Sequence, residues 1–268
     1  MTRANKYTLL TRALAAVALL VNLPAQAQAV PEELPQELPA RDIQAGDAQW
    51  GAGLGVALDR KAYRNFENDL SALPLLMYEN RHISIFGATL DYKLPQAGPF
   101  SFRLRARYSG DGYEAKDSPF LAGMEERKGG LWLGGAAIWQ SSLARVSAEA
   151  LAATGDAKGK RLKVEISRGF KTGNLTLTPR IAANWYDDKY VDYYYGVRAA
   201  EVRAGRAAYK GQSTTNFESG LRLSYAIRRR HNVFVDVSAS TLGSGIKDST
   251  IVERSSVSSL KLGYLYAF

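Results

Sequence analysis

From Trp50 onward the chain is organised in runs where apolar side chains recur at every second position. The final run is the clearest: Leu260, Leu262, Tyr264, Tyr266 and Phe268 alternate with Ser259, Lys261, Gly263, Leu265 and Ala267. Side chains alternate across a strand, so this run has one apolar face and one mostly polar or small face. Between 100 and 108 the faces separate most sharply, with Phe100, Phe102, Leu104, Ala106 and Tyr108 opposing Ser101, Arg103, Arg105 and Arg107. The same phase sets Leu175, Leu177, Ile181 and Trp185 against Thr176, Thr178, Arg180 and Asn184. Strands are expected near 49–58, 73–79, 82–94, 100–109, 130–140, 144–154, 160–170, 174–186, 190–197, 214–228, 231–241 and 256–268. These make twelve, an even number that returns both ends to the same side of a membrane. Ten is the alternative, because 174–197 reads as one long strand or two and 82–94 breaks phase at Gly87-Ala88.

Alternation alone also suits a soluble sandwich. Roughly ten-residue segments, aromatic residues near strand ends and a terminal aromatic strand together describe an all-β fold, a closed antiparallel transmembrane β-barrel over 49–268. The ending Tyr264, Tyr266 and Phe268 resembles the terminal signal by which barrels reach the barrel-insertion machinery, which makes those residues the candidate assembly signal. Short turns at 96–99, 171–174 and 228–232 contrast with longer connections at 59–72, 110–128, 198–213 and 242–255, and longer loops usually face outside.

The start of the chain bears on compartment. Arg3, Lys6 and Arg12 precede the apolar run Ala13 to Val21, followed by Pro24 and small residues at Ala25, Ala27 and Ala29. This is the pattern of a secretory signal peptide, with cleavage expected after Ala29 or Ala27. The run is shorter than the roughly 20 apolar residues of a spanning helix. Residues 30–48 form a separate segment in which Pro31, Pro35 and Pro39 recur every fourth residue, favouring an extended linker. That segment carries Glu32, Glu33, Glu37, Asp42 and Asp47 against Arg41 alone, so an acidic periplasmic tail precedes a basic barrel. The formal net charge is +9. For an exported chain this points to outer-membrane lipid and lipopolysaccharide as partners, not nucleic acid. There is no cysteine, hence neither a disulfide nor a thiolate metal site.

Inward-facing charges on the expected strands are Lys93, Arg103, Arg105, Arg107, Arg145, Arg161, Lys163, Arg180 and Arg222 against Asp91, Glu149, Glu165, Glu218 and Asp236. Long side chains fill a barrel of this size. The interior is therefore either a plug of ion pairs or a narrow anion-preferring pore with Arg103, Arg105 and Arg107 as its basic ladder. Catalytic chemistry has little support. His82 and His231 are the only histidines, each beside a turn, and Ser244-Gly245-Ile246-Lys247 matches a Ser-x-x-Lys spacing without its partner motifs. No catalytic residue, metal ligand or cofactor is expected.

The tract Tyr190-Val191-Asp192-Tyr193-Tyr194-Tyr195-Gly196-Val197 suits an aromatic girdle at a membrane interface. With Glu201, Gly205 and Tyr209 it also resembles the hallmark of the MipA/OmpV family of outer-membrane proteins, the aromatic motif being Tyr193, Tyr194, Tyr195, Gly196 and Val197. Pro74 with Tyr78, Leu175 to Pro179 with Trp185, Asp248-Ser249 running to Ile251-Val252, and the closing Gly263 to Phe268 extend the resemblance over most of the mature chain. Thr250 departs from it, since the family usually has proline there, and a looser loop is expected. The resemblance implies a non-enzymatic scaffold that brings a lytic transglycosylase and a murein synthase, a periplasmic murein hydrolase and synthase, together at the outer membrane. Other members are described as adhesins, which leaves channel and surface adhesin as the alternatives.

Overall fold

The computed structural model describes residues 48–268; the expected signal peptide at 1–29 and the acidic segment up to residue 47 lie outside the described residues. The wall begins with β1 (Gln49–Arg60), β2 (Asp69–Glu79), β3 (Ile83–Phe86), β4 (Thr89–Lys93), β5 (Phe100–Ser109), β6 (Gly130–Gln140) and β7 (Arg145–Thr154). It continues through β8 (Lys160–Ser167), β9 (Phe170–Thr172), β10 (Leu175–Tyr186), β11 (Thr214–Arg228), β12 (His231–Thr241) and β13 (Ser256–Ala267). Neighbours pair antiparallel in chain order, and β13 returns to β1 with Leu58 opposite Leu260 and Gly51 opposite Ala267, closing the barrel.

Segments β8 and β9 are one wall strand in two pieces, both lying against β10. The Arg168 amide donates to the Pro179 carbonyl at 3.2 Å. Proline has no amide hydrogen to return that bond, so the ladder lapses at 168–169. Thirteen segments therefore make twelve wall strands.

Twelve is the expected number, reached by two departures that offset each other. The run 82–94 is a hairpin, β3 and β4, with a two-residue turn at Gly87-Ala88 and Phe86 opposite Thr89. Gly87 supplies the positive φ, 54°, that a tight hairpin turn needs at its first central position. The run 190–197 is not a strand. It is helix α1 (Asp188–Tyr195), outside the wall. The Asp187 side chain accepts a hydrogen bond from the Tyr190 amide at 2.9 Å, the N-cap arrangement. Within the helix Tyr190 and Tyr194, four apart, lie on one face with ring centroids 4.8 Å apart, and Tyr190 stacks at 4.3 Å on Tyr186, the last residue of β10.

The outward face is apolar: Leu54, Leu76, Leu104, Leu133, Ile181 and Phe217 are among its exposed side chains. The inward face is charged from β4 round to β13. It also carries an apolar patch of Ala57, Leu73, Leu75, Phe86, Phe234 and Leu265. Both termini of the barrel and the turns at 80–82, 141–144 and 229–230 share one end. The connections at 61–68, 110–129, 187–213 and 242–255 share the other.

Candidate functional site: a charged lumen beneath a cap

Alternation on β5 points Arg103, Arg105 and Arg107 into the barrel, where a carboxylate from the adjacent β4 and one from β7, two strands away, receive them. Arg105 donates through Nε and Nη2 to the two oxygens of Asp91 at 2.7 Å and 2.8 Å, and it also reaches Glu149. Arg103 donates to Asp91 at 3.1 Å. Arg107 approaches the two oxygens of Glu149 at 3.0 Å and 2.9 Å and donates to Thr89 Oγ1 at 3.1 Å. The expected ladder is thus brought together, with Asp91 fully buried between two of its rungs.

A second network runs along the lumen wall from β8 to β12. Arg180 grips Asp236 bidentately at 3.0 Å and 2.9 Å, while its Nε donates to Glu218 at 3.2 Å. Arg222 donates to the same Asp236 at 3.1 Å and lies over the Phe234 ring, 4.6 Å from its centroid. Lys163 stands 3.3 Å from Glu165 and 3.7 Å from Glu218. Gly220, opposite Arg180 in the ladder, makes this possible: a Cβ there would sit 2.5 Å from the guanidinium carbon. One lumen cation was absent from the sequence set. Lys261 is buried opposite Asp236 in the β12–β13 ladder, and its place on the polar side of β13 was the available signal.

Over the long-loop end, four connections fold into one core. Tyr63 and Phe66, Tyr113, Leu121 and Met124, then Tyr190, Val191, Tyr194 and Val197, and Leu242, Ile246, Ile251 and Val252 pack above Trp132 and Tyr186. The aromatic motif builds this cap and is not a membrane girdle. Tyr63 Oη donates to the Tyr194 carbonyl at 3.2 Å, and its ring stacks on Tyr195 at 5.4 Å. Tyr193 Oη accepts from the Lys128 amide at 3.1 Å, and Gly196 caps the helix through the Asp192 carbonyl at 3.0 Å. Val197 pairs with Tyr209, and Tyr209 Oη donates to the Gly245 carbonyl at 2.8 Å. Glu201 is buried in an ion pair with Arg127, 2.8 Å and 2.9 Å. Thr250, where a looser loop is expected, donates its hydroxyl to the Ala207 carbonyl at 2.8 Å. Burial, with Tyr195 and Tyr113 nearby, raises the Tyr63 phenol well above its usual value, and burial pushes Tyr113 up to about 12.

At the short-turn end, aromatic rings do line the wall. His231 Nδ1 lies 2.7 Å from Tyr264 Oη, Tyr266 meets Phe268 edge-on at 5.2 Å, and the Phe268 amide donates to the Trp50 carbonyl at 2.8 Å. These contacts account for one of the two histidines without any catalytic partner. Ser244 and Lys247 bound the short helix α2 (Ser244–Lys247), whose Gly245 and Ile246 are buried in the cap. Among the described residues no cluster of acidic or histidine side chains is placed to hold a metal ion.

Among the described residues, two chambers lie in the lumen. One of about 610 Å³ lies towards the short turns, lined by Arg145, Ser147, Arg168, Lys171 and Thr178 with the inner networks behind them. The other, about 220 Å³, lies beneath the cap beside Tyr63, Tyr190, Tyr194 and Lys261. Arg180 borders both.

The family profile described as MltA-interacting protein MipA matches residues 52–268. Outer-membrane protein YiaT of Escherichia coli K12 is 26% identical over 220 residues, 81% of this chain and 89% of its own. The MltA-interacting protein of the same strain is 23% identical over 226 residues, 83% and 91% of the two chains. OmpV of Vibrio cholerae is 23% identical over 217 residues, 79% and 84%. An outer-membrane channel of Pseudomonas putida F1 superposes with a TM-score of 0.45 at 10% identity, over 87% of this chain and 100% of its own. An apolar closed wall, the cap-building aromatic motif and a profile running from within β1 to Phe268 lead to one assignment: this outer-membrane barrel belongs to the MltA-interacting protein MipA family.

Proposed function

We propose that the protein is a non-enzymatic outer-membrane scaffold that brings murein-remodelling enzymes, a lytic transglycosylase and a murein synthase, together at its periplasmic face. The observation that carries this reading is the state of the lumen. Ion pairs line its wall from β8 to β12, with Arg180 between its two chambers, and a four-loop core packs over its outer end. Such a fold maintains a rigid wall and a periplasmic surface rather than a passage. The relative named MltA-interacting protein supports the same direction by its name. The partner site then belongs on the periplasmic turns or the acidic segment at 30–48, lipid and lipopolysaccharide contact the outer wall, and the insertion machinery reads Tyr264, Tyr266 and Phe268.

Affinity capture from detergent-solubilised outer membranes tests the scaffold. Enrichment of a murein hydrolase and a murein synthase is expected. Deleting 31–47 should leave the barrel folded and weaken capture, whereas undiminished capture at low ionic strength would move the site to the turns. A channel for small anions is the second reading, favoured by the basic 610 Å³ chamber. Large anion-selective currents in a planar bilayer, with no murein enzyme captured, would overturn the scaffold in its favour.

A further inference from the structure

The larger chamber opens among the turns at 141–144 and 168–172, the end at which β1 begins. Eight arginine or lysine side chains line it against two glutamates, Glu149 and Glu165. The deeper cations are engaged in the two networks. At the mouth, Arg168 and Lys171 are exposed, and neither makes an ion pair with another described residue. Serine and threonine hydroxyls, among them Ser142, Thr172 and Ser224, lie between the charges. The lining is therefore suited to carboxylates rather than to an apolar guest.

The chain supplies such carboxylates at the same mouth. Residues 30–47 lead directly into Gln49 and hold Glu32, Glu33, Glu37, Asp42 and Asp47 against one arginine. We propose that this acidic segment folds back into the periplasmic chamber, setting its carboxylates against Arg145, Arg168 and Lys171. Reach is ample. Twelve strands spaced roughly 4.8 Å apart and tilted enclose a mouth roughly 24 Å across, and eight extended residues at about 3.1 Å each span it. Tethering places the segment at an effective concentration in the millimolar range, so weak pairings suffice to hold it. The three prolines stiffen the segment and reduce the entropy lost on docking. This inference rests on cleavage leaving the segment attached, and not on any murein partner.

The chain contains no cysteine, so introduced pairs report alone. In the purified full-length barrel, Glu37→Cys paired with Ser142→Cys should form an intramolecular disulfide several-fold more readily than Glu37→Cys paired with Asn80→Cys. Asn80 lies on the turn after β2, beside the segment's own anchor, where a freely moving tail would arrive at least as often. Replacing the five acids by their amides, or raising the salt concentration, should abolish the difference, because exposed pairs are screened within about 10 Å at 0.1 M. Equal yields at Ser142 and Asn80, a preference that survives the amide tail, or disulfides only between molecules would each overturn the proposal. Failure here leaves murein-enzyme capture untouched, and failure of capture leaves this cross-link untouched.

Discussion

Arginine position decides how the lumen is held. Arg105 bridges Asp91 and Glu149, whereas Arg103 donates to Asp91 at 3.1 Å and is the more exposed of the two. Removing one member of a buried pair leaves the other charge uncompensated, at a cost of about 3–5 kcal/mol. Arg105→Gln should therefore lower the temperature at which the folded band disappears in semi-native electrophoresis, and Arg103→Gln should lower it much less. Similar losses from both would mean the ladder does not act through these pairs. Gly220→Leu should have an effect of the Arg105 kind, since it displaces the Arg180 guanidinium that holds Asp236 and Glu218.

Among the elements, α1 is the one whose type sequence periodicity misassigned. Tyrosine and valine favour strands, and Tyr190 to Val197 alternates well enough to read as one. Local capping decided otherwise. Asp187→Ala removes the cap, an effect of about 1 kcal/mol, and should speed hydrogen exchange over 188–195 while leaving the wall strands protected. The cap above α1 is also sensitive to alkali. Tyr113 keeps its proton to about 12 in the folded state, against 10.0 for an ordinary phenol, because ionisation would put a charge into a buried site. Its contribution to stability is intact below pH 10 and is lost as the pH rises through 12, since the unfolded chain releases the proton first. Cap fluorescence should change over that window. Tyr113→Phe, which cannot ionise, should reduce the pH dependence there.

For the molecule as a whole, closure depends on the last strand. β13 pairs with both β12 and β1, and Phe268 pins its end to Trp50. Deleting Phe268, or replacing it with a charged residue, should leave export intact and block assembly. A normal heat-modifiable barrel in the outer membrane after the deletion would count against an assembly signal at this residue. Small or absent currents from the intact barrel in a planar bilayer are expected from its ion-paired, capped lumen.

The amino-acid sequence alone determined the wall. Period-two alternation is a local property of each strand, and it assigned the inward arginines and outward leucines that the barrel displays. The number of strands survived for a less direct reason. A hairpin hidden in 82–94 replaced the strand expected at 190–197, and only the turn at Gly87 and the cap at Asp187 distinguish the two cases. Which charges meet was decided by the tertiary structure. Arg105 finds Glu149 across forty-four positions and Arg180 finds Asp236 across fifty-six, separations that depend on register and barrel stagger rather than on spacing. The cap was likewise illegible, because its residues come from four connections with no common period. They share a core only once the closed wall has brought those connections to one end.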